Sequence, residues 1–355
     1  MSSFNERGGC CKRCPPFFIS KAFPIFALEL TLKITYNMLE LLKFSVKGFK
    51  GFKDEITLDM TDKREQTTES KGLAIILGKE GAGRTNLGEA LFDIAYNFNK
   101  SIIRPKSMYA YANSSIAVEF CYELCDSVLN AIYRYRYKVY DGEIYDVLLD
   151  ETTDKYPISE DKRDKVLKDI SDFAQSMLFI KNCKERFPMR AEDLKDELLP
   201  SDDFLRDFEE FLVSCIGYEV DFVKINSELY FKENGVVLPF FKCANKRLVD
   251  LYLLVNSVGC GHFFEDEKYS LIYVDDLPFI NDITKHQAIL TFLENRTNQL
   301  IVAPIDTRYF RSERAKEDLY VIANGQVKEI QEWTPKDLRV GHNFEGLYRG
   351  GAFDE

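Results

Sequence analysis

Eight consecutive residues constrain what this chain can fold into more than any other stretch: Gly78-Lys79-Glu80-Gly81-Ala82-Gly83-Arg84-Thr85. They keep the spacing G-x-x-x-x-G-K-[ST] of a phosphate-cradling loop at every position except the lysine, which is Arg84. Before the loop, Leu73 to Leu77 is a continuous apolar run, and its lack of alternation suits a strand buried on both faces. After it, Leu87, Ala90, Leu91, Ile94 and Ala95 recur at helical spacing. A strand, a glycine loop and a helix opening near Thr85 aim successive backbone N–H groups and the helix dipole at an anion. Gly78, Lys79, Glu80, Gly81, Ala82, Gly83, Arg84, Thr85 and Asn86 are therefore the candidate nucleotide-binding residues. The Thr85 hydroxyl is a candidate magnesium ligand. Arg84 keeps the charge of the usual lysine, but a longer planar fork replaces the compact ammonium.

A second apolar run, Leu271-Ile272-Tyr273-Val274, ends in Asp275 and Asp276. In a phosphate-loop protein, an acid at the end of a second buried strand steadies the metal, which makes Asp275 the candidate magnesium partner of Thr85. The next position would often hold a glutamate that orients the attacking water. Here it is Asp276, one methylene shorter, and it is the candidate catalytic acid in altered form.

The remaining chain divides by pattern into four parts. Residues 1–37 carry Cys10, Cys11, Cys14 and a short apolar stretch, Ala22 to Leu32, too short to span a bilayer and unlike a secretory signal. They read as an extension outside the core, upstream of a start at Met38. Cys11-x-x-Cys14 lacks the second ligand pair of a structural zinc site. Residues 38–155 form the first half of a core: a hairpin about the Gly48-Phe49-Lys50-Gly51-Phe52 turn, the loop and helix, and three antiparallel strands with Asp141-Gly142 as a two-residue turn. Residues 156–218 are charge-rich and predict an inserted helical lobe. Residues 219–355 return to the core with strand-like segments near 220–231, a helix over 246–258, the acid-ended strand, another strand at 299–303, and a hairpin about Asn324-Gly325.

Composition bounds the partners. The formal charge of −11 over 355 residues argues against bulk attraction to nucleic acid, leaving Lys181, Lys184, Arg186 and Arg190 as one local basic run. Nine cysteines, mostly single within apolar segments, suit a reducing cytoplasm, and no stretch reads as membrane-spanning.

The segments Leu42 to Glu55, Ile76-Leu77-Gly78 and Thr85-Asn86-Leu87-Gly88-Glu89-Ala90-Leu91 together resemble the bacterial "AAA family ATPase" proteins of the ABC-type SMC, RecF and OLD branch, many of them in phage-defence or abortive-infection loci. Tyr133-Arg134-Tyr135, Asp306-Thr307, Asn343-Phe344-Glu345 and Tyr348-Arg349-Gly350-Gly351 continue the likeness. The resemblance implies an α/β P-loop NTPase of ABC/SMC-head type with an added antiparallel β-subdomain, using ATP and Mg2+, and pairing head to head with a signature loop from each partner. The departures fall on catalytic positions. Lys242-Cys243-Ala244-Asn245-Lys246-Arg247 has no glycine where relatives carry the signature, and Ile305 stands where they carry a histidine before Asp-Thr. Three functions follow as expectations: a degenerate head that binds ATP but hydrolyses it weakly or not at all, as a regulatory or scaffolding partner; a working ATPase driving an effector such as a nuclease from a neighbouring gene; and a nucleic-acid-binding module that keeps the head fold as scaffold. The first is favoured.

Overall fold

The computed structural model describes residues 39–63, 69–99, 104, 117–152, 158–181, 185–187, 200–259, 268–277, 283–304, 318–333 and 343–352. The extension expected over 1–37 lies outside them. Strands β1 (Glu40–Lys47) and β2 (Ile56–Asp59) form the first hairpin, and β3 (Leu73–Leu77) leads through the glycine loop to α1 (Arg84–Leu91), a 3-10 turn and α2 (Ala95–Phe98). Strands β4 (Val118–Asp126), β5 (Ala131–Tyr140) and β6 (Glu143–Glu151) precede α3 (Glu160–Gln175), β7 (Leu178–Lys181) and β8 (Glu185–Phe187). Helix α4 (Asp202–Phe211) is followed by β9 (Asp221–Ile225), β10 (Glu228–Glu233) and β11 (Val236–Pro239), then α5 (Phe240–Cys243) and α6 (Lys246–Val258). The chain closes with β12 (Tyr269–Asp275), α7 (Ile283–Glu294), β13 (Thr297–Ala303), β14 (Leu319–Ala323), β15 (Gln326–Glu329) and α8 (Phe344–Arg349).

The strands make a mixed α/β architecture of three sheets. The central one has the order β15-β14-β3-β13-β12-β7-β8, parallel from β14 to β7 and closed at each edge by an antiparallel strand. Its side chains alternate between two cores, as the two-residue period of a strand requires. Ala74, Ile76, Phe179, Tyr273 and Ile301 face the antiparallel sheet β2-β1-β4-β5-β6 together with α1 and α3. Leu73, Ile75, Leu77, Ile180, Ile272, Val274 and Val302 face α4, α6, α7 and the three-stranded sheet β11-β10-β9. Buried Gln299 ties the antiparallel sheet to the centre: its Oε1 accepts from Leu41 N at 2.6 Å and its Nε2 donates to Leu41 O at 2.9 Å. Satisfying both backbone groups there fits the irregularity of β1 between Leu41 and Lys43.

One expectation is corrected. The helical lobe predicted over 156–218 is not a body apart from the core, since the described residues all belong to one unit, Asn37–Glu355. The stripe Val166, Ile170, Phe173 and Ala174 buries α3 in the first core. Strand β7 pairs in parallel with the acid-ended β12, from Ile272 opposite Leu178 to Val274 opposite Ile180. Phe208 and Leu212 in turn bury the α4 region in the second core. Charge density misleads here because it lies on the outer faces of helices whose inner stripes are apolar. No helix among the described residues is long and apolar enough to cross a membrane.

Candidate functional site

The carboxyl ends of β3, β13, β12 and β7 lie side by side, and the predicted residues meet there. The loop leaves β3 at Leu77 and enters α1 through Gly83, whose φ of 104° and ψ of 16° lie where side-chain-bearing residues are strained. A Cβ on Gly83 would stand 2.7 Å from Phe52 Cε1, so the first hairpin's turn closes over this point. No side chain caps the amino end of α1, leaving its first N–H groups directed at the loop's hollow. The crest, Lys79 to Gly81, is exposed, and Asn86 lies beside the turn at Gly51.

Helix α1 lies close over β12 and β7 because Gly88 has no side chain: a Cβ there would stand 2.8 Å from Tyr273 Cε1. Tyr273 also donates from its hydroxyl to Arg84 O at 2.7 Å, pinning the helix's first turn. With the helix so placed, Thr85 Oγ1 donates to Asp275 Oδ2 at 2.6 Å. Asp275 is 1% exposed, and its Oδ1 has no hydrogen-bond partner among the described residues. Burial pushes its carboxyl up to about 6; Asp276 adds to the rise, while the Thr85 hydroxyl, Arg84 and Lys181 oppose it. A buried carboxylate oxygen left over beside a hydroxyl is an unfinished polar site, costly unless something completes it.

The other candidates are arranged differently. Arg84 is not turned into the loop; its Nη1 donates to Pro304 O, just beyond β13. Asp276 takes a left-handed φ of 58°, and its N–H donates to Ala303 O at 3.1 Å. Burial raises its carboxyl, opposed by Arg84 and by Lys246 at the start of α6. Across 242–247 the chain ends α5 at Cys243, links through Ala244, and caps α6 with Asn245, whose Oδ1 accepts from Leu248 N at 2.9 Å.

Ile305, Asp306 and Thr307 lie outside the described residues, as do His262 and His342; His286 is buried on α7. Of the basic run, Lys184 and Arg190 lie outside as well, and Lys181 is bound to Glu89 at 3.0 Å. Glu89 is the residue that motif reasoning missed. It sits one turn after Thr85, and Lys50 from the first hairpin's turn holds its other oxygen. The four-residue spacing from Thr85 is the only signal in the sequence. No group of three or more potential His, Cys, Asp or Glu metal ligands occurs among the described residues. Two surface grooves, of about 700 and 670 Å³, are lined by other parts of the molecule.

No protein-family model and no curated protein matches the chain. Among solved structures it is similar to an SMC head bound to the C-terminal winged-helix domain of ScpA, with 14% identity and a TM-score of 0.48 over 81% of this chain and 96% of that one. It is also similar to the recombination mediator protein RecF bound to ATPγS, with 12% identity and a TM-score of 0.43 over 83% of this chain and 99% of that one. At scores of this size neither likeness bears on function, which has to be argued from the loop and its partners.

Proposed function

We propose that the chain is a nucleotide-binding head of ABC/SMC type, a degenerate ATPase that holds ATP with Mg2+ at Gly78 to Asn86 and Asp275 but turns it over slowly or not at all. The observation that carries this is the pairing of Thr85 with Asp275 at 2.6 Å beside an uncapped helix start, with the second Asp275 oxygen buried and without a hydrogen-bond partner. The donor set fits magnesium, a hard cation that takes carboxylate, hydroxyl and phosphate oxygens. Thr85 and Asp275 would hold it, and when bound it neutralises charge on the β- and γ-phosphates. The backbone N–H groups from Gly81 to Thr85 would orient the phosphates, and burial of Asp275 would keep water from competing for its carboxylate.

Weak turnover follows from the side chains that chemistry needs. Arg84 is committed to Pro304 O, Asp276 is short and held at a left-handed turn, and Ala244 and Asn245 replace the signature glycine. On this reading the head acts in the cytoplasm as a regulatory or scaffolding half of a homo- or heterodimer, alongside an effector protein. Calorimetry with ATP, with and without Mg2+, tests it together with phosphate release. The expected result is magnesium-dependent binding with near-background hydrolysis. Absence of binding at millimolar ATP would leave the loop an inherited turn.

A further inference from the structure

Phosphate loops place one compact cation against the terminal phosphate, and Arg84 does not do so here because its guanidinium is spent on Pro304 O. Another ammonium stands close by. Val274 of β12 pairs with Ile180 of β7, so the next residues, Asp275 and Lys181, end neighbouring parallel strands roughly 4.8 Å apart. Both point to the α1 side of the sheet, as Tyr273 and Phe179 two residues earlier do. There α1 meets them in two successive rungs, Thr85 with Asp275 and Glu89 with Lys181.

The charges in the second rung are unequal. One carboxylate, Glu89, is 12% exposed and binds two ammonium groups, Lys50 on Oε2 and Lys181 on Oε1 at 3.0 Å. The cluster carries a net positive charge, and either lysine could leave without stranding a buried anion. Lys50 is held in the closed turn before Phe52, whereas Lys181 ends a strand at the site itself. We infer that Lys181 is the specificity-determining cation of the nucleotide site, exchanging Glu89 for the terminal phosphate of a nucleoside triphosphate while Lys50 stays to neutralise Glu89. The inference rests on the nucleotide-binding function proposed above. No bond is made or broken; one ion pair is traded for another. Lys181 already acts electrostatically on Asp275, which places it within range of the same ligand.

The test is calorimetry on the full chain with Mg2+, titrating ATP and ADP into wild type, Lys181→Met, Lys50→Met and Glu89→Gln, each checked for folding by thermal melt. Lys181→Met should weaken ATP by about 10- to 100-fold, the worth of a charge-assisted contact, and change ADP by no more than about twofold. Lys50→Met should weaken ATP in the same direction, because Lys181 must then remain on Glu89. Glu89→Gln should tighten ATP, because it frees Lys181. A salt bridge that is merely structural predicts the reverse for that variant, with Glu89→Gln and Lys181→Met doing similar harm to both nucleotides. If Lys181→Met does not fold, Glu89→Gln decides: tighter ATP supports the exchange, and unchanged or weaker ATP overturns it. Wild type that prefers ATP while Lys181→Met keeps that preference overturns the inference alone. Wild type that binds neither nucleotide removes the nucleotide site itself.

Discussion

The two sides of the phosphate loop differ in what holds them. On the β12 side, Thr85, Asp275, Glu89 and Lys181 form two packed rungs between α1 and neighbouring strands. On the β13 side, Arg84 bonds a backbone carbonyl, Asp276 sits in a turn, and the start of α6 is satisfied by its own Asn245. The first side offers groups that bind: backbone amides, a hydroxyl, a carboxylate with an oxygen to spare. The second holds the positions where transition-state charge would be met, and its side chains are already engaged elsewhere or too short. Binding through backbone and a few oxygens tolerates side-chain change; rate acceleration depends on donors placed within tenths of an ångström.

The largest effect should be on turnover. Losing one well-placed donor costs a hundredfold or more in rate, and Arg84, Asp276, Ala244 and Ile305 are altered together. Phosphate release by the wild type should be near background, and Arg84→Lys with Asp276→Glu should raise it without tightening ATP. Wild-type turnover near one per second, common for enzymes, would erase the contrast between the sides. Next in size is Gly83→Ala. The side chain meets Phe52 at 2.7 Å in a backbone held at φ 104°, and the strain and overpacking together should cost about 4 kcal/mol in urea denaturation, with loss of ATP binding. Loss of binding with unchanged stability would mean that the hairpin turn yields, and that Phe52 does not brace the loop.

The side that binds was largely legible in the sequence, and the side that does not was legible only as departures. Strand, loop and helix are contiguous, so local pattern sufficed for β3, Gly78 to Thr85 and α1, as it did for α6 over Lys246–Val258. The turns at Asp141-Gly142 and Asn324-Gly325 show the positive φ values that their residue types favour. Strand β7 was missed because Leu178-Phe179-Ile180-Lys181 is four residues long and follows a charged helix. What makes it a central strand is pairing with β12, almost a hundred residues later. The same distance in sequence hid the second rung: Glu89 gathers Lys50 from 39 residues before and Lys181 from 92 after. The Arg84 bond to Pro304 O spans 220 residues, so the sequence could show that the lysine had changed but not where its replacement points.

A smaller effect, of opposite sign, is expected at Asp275. Its carboxyl is raised by burial from 3.8 to about 6, so between those values the folded chain holds a proton that the unfolded chain has lost. Stability then falls as pH rises through that window, and above it the ionised group costs on the order of 2 to 3 kcal/mol. Asn cannot ionise and keeps an oxygen for Thr85. Nucleotide-free Asp275→Asn should therefore be more stable than wild type at pH 8 by about 2 kcal/mol, with the difference fading toward pH 4, while ATP binding loses its response to Mg2+. A wild type as stable as the variant at pH 8 would show that the second oxygen is satisfied by the protein, and that this side holds no place for a cation.

The smallest effect tests whether the two sides are separable at all. Asn245 caps α6 through Leu248 N, and Ala in its place leaves that N–H without its partner at a cost of about 1 kcal/mol. Ser or Asp restores the acceptor, so both should recover the stability measured by urea denaturation. Because Asn245 serves its own helix and touches the loop only through Lys246 acting on Asp276, Asn245→Ala should change the Mg2+-dependent affinity of the isolated chain for ATP by no more than about twofold. A tenfold loss with the same 1 kcal/mol destabilisation would mean that the start of α6 already bears on the bound phosphates within one chain. The β13 side would then belong to binding, and the division drawn between holding the nucleotide and acting on it would fail at this residue.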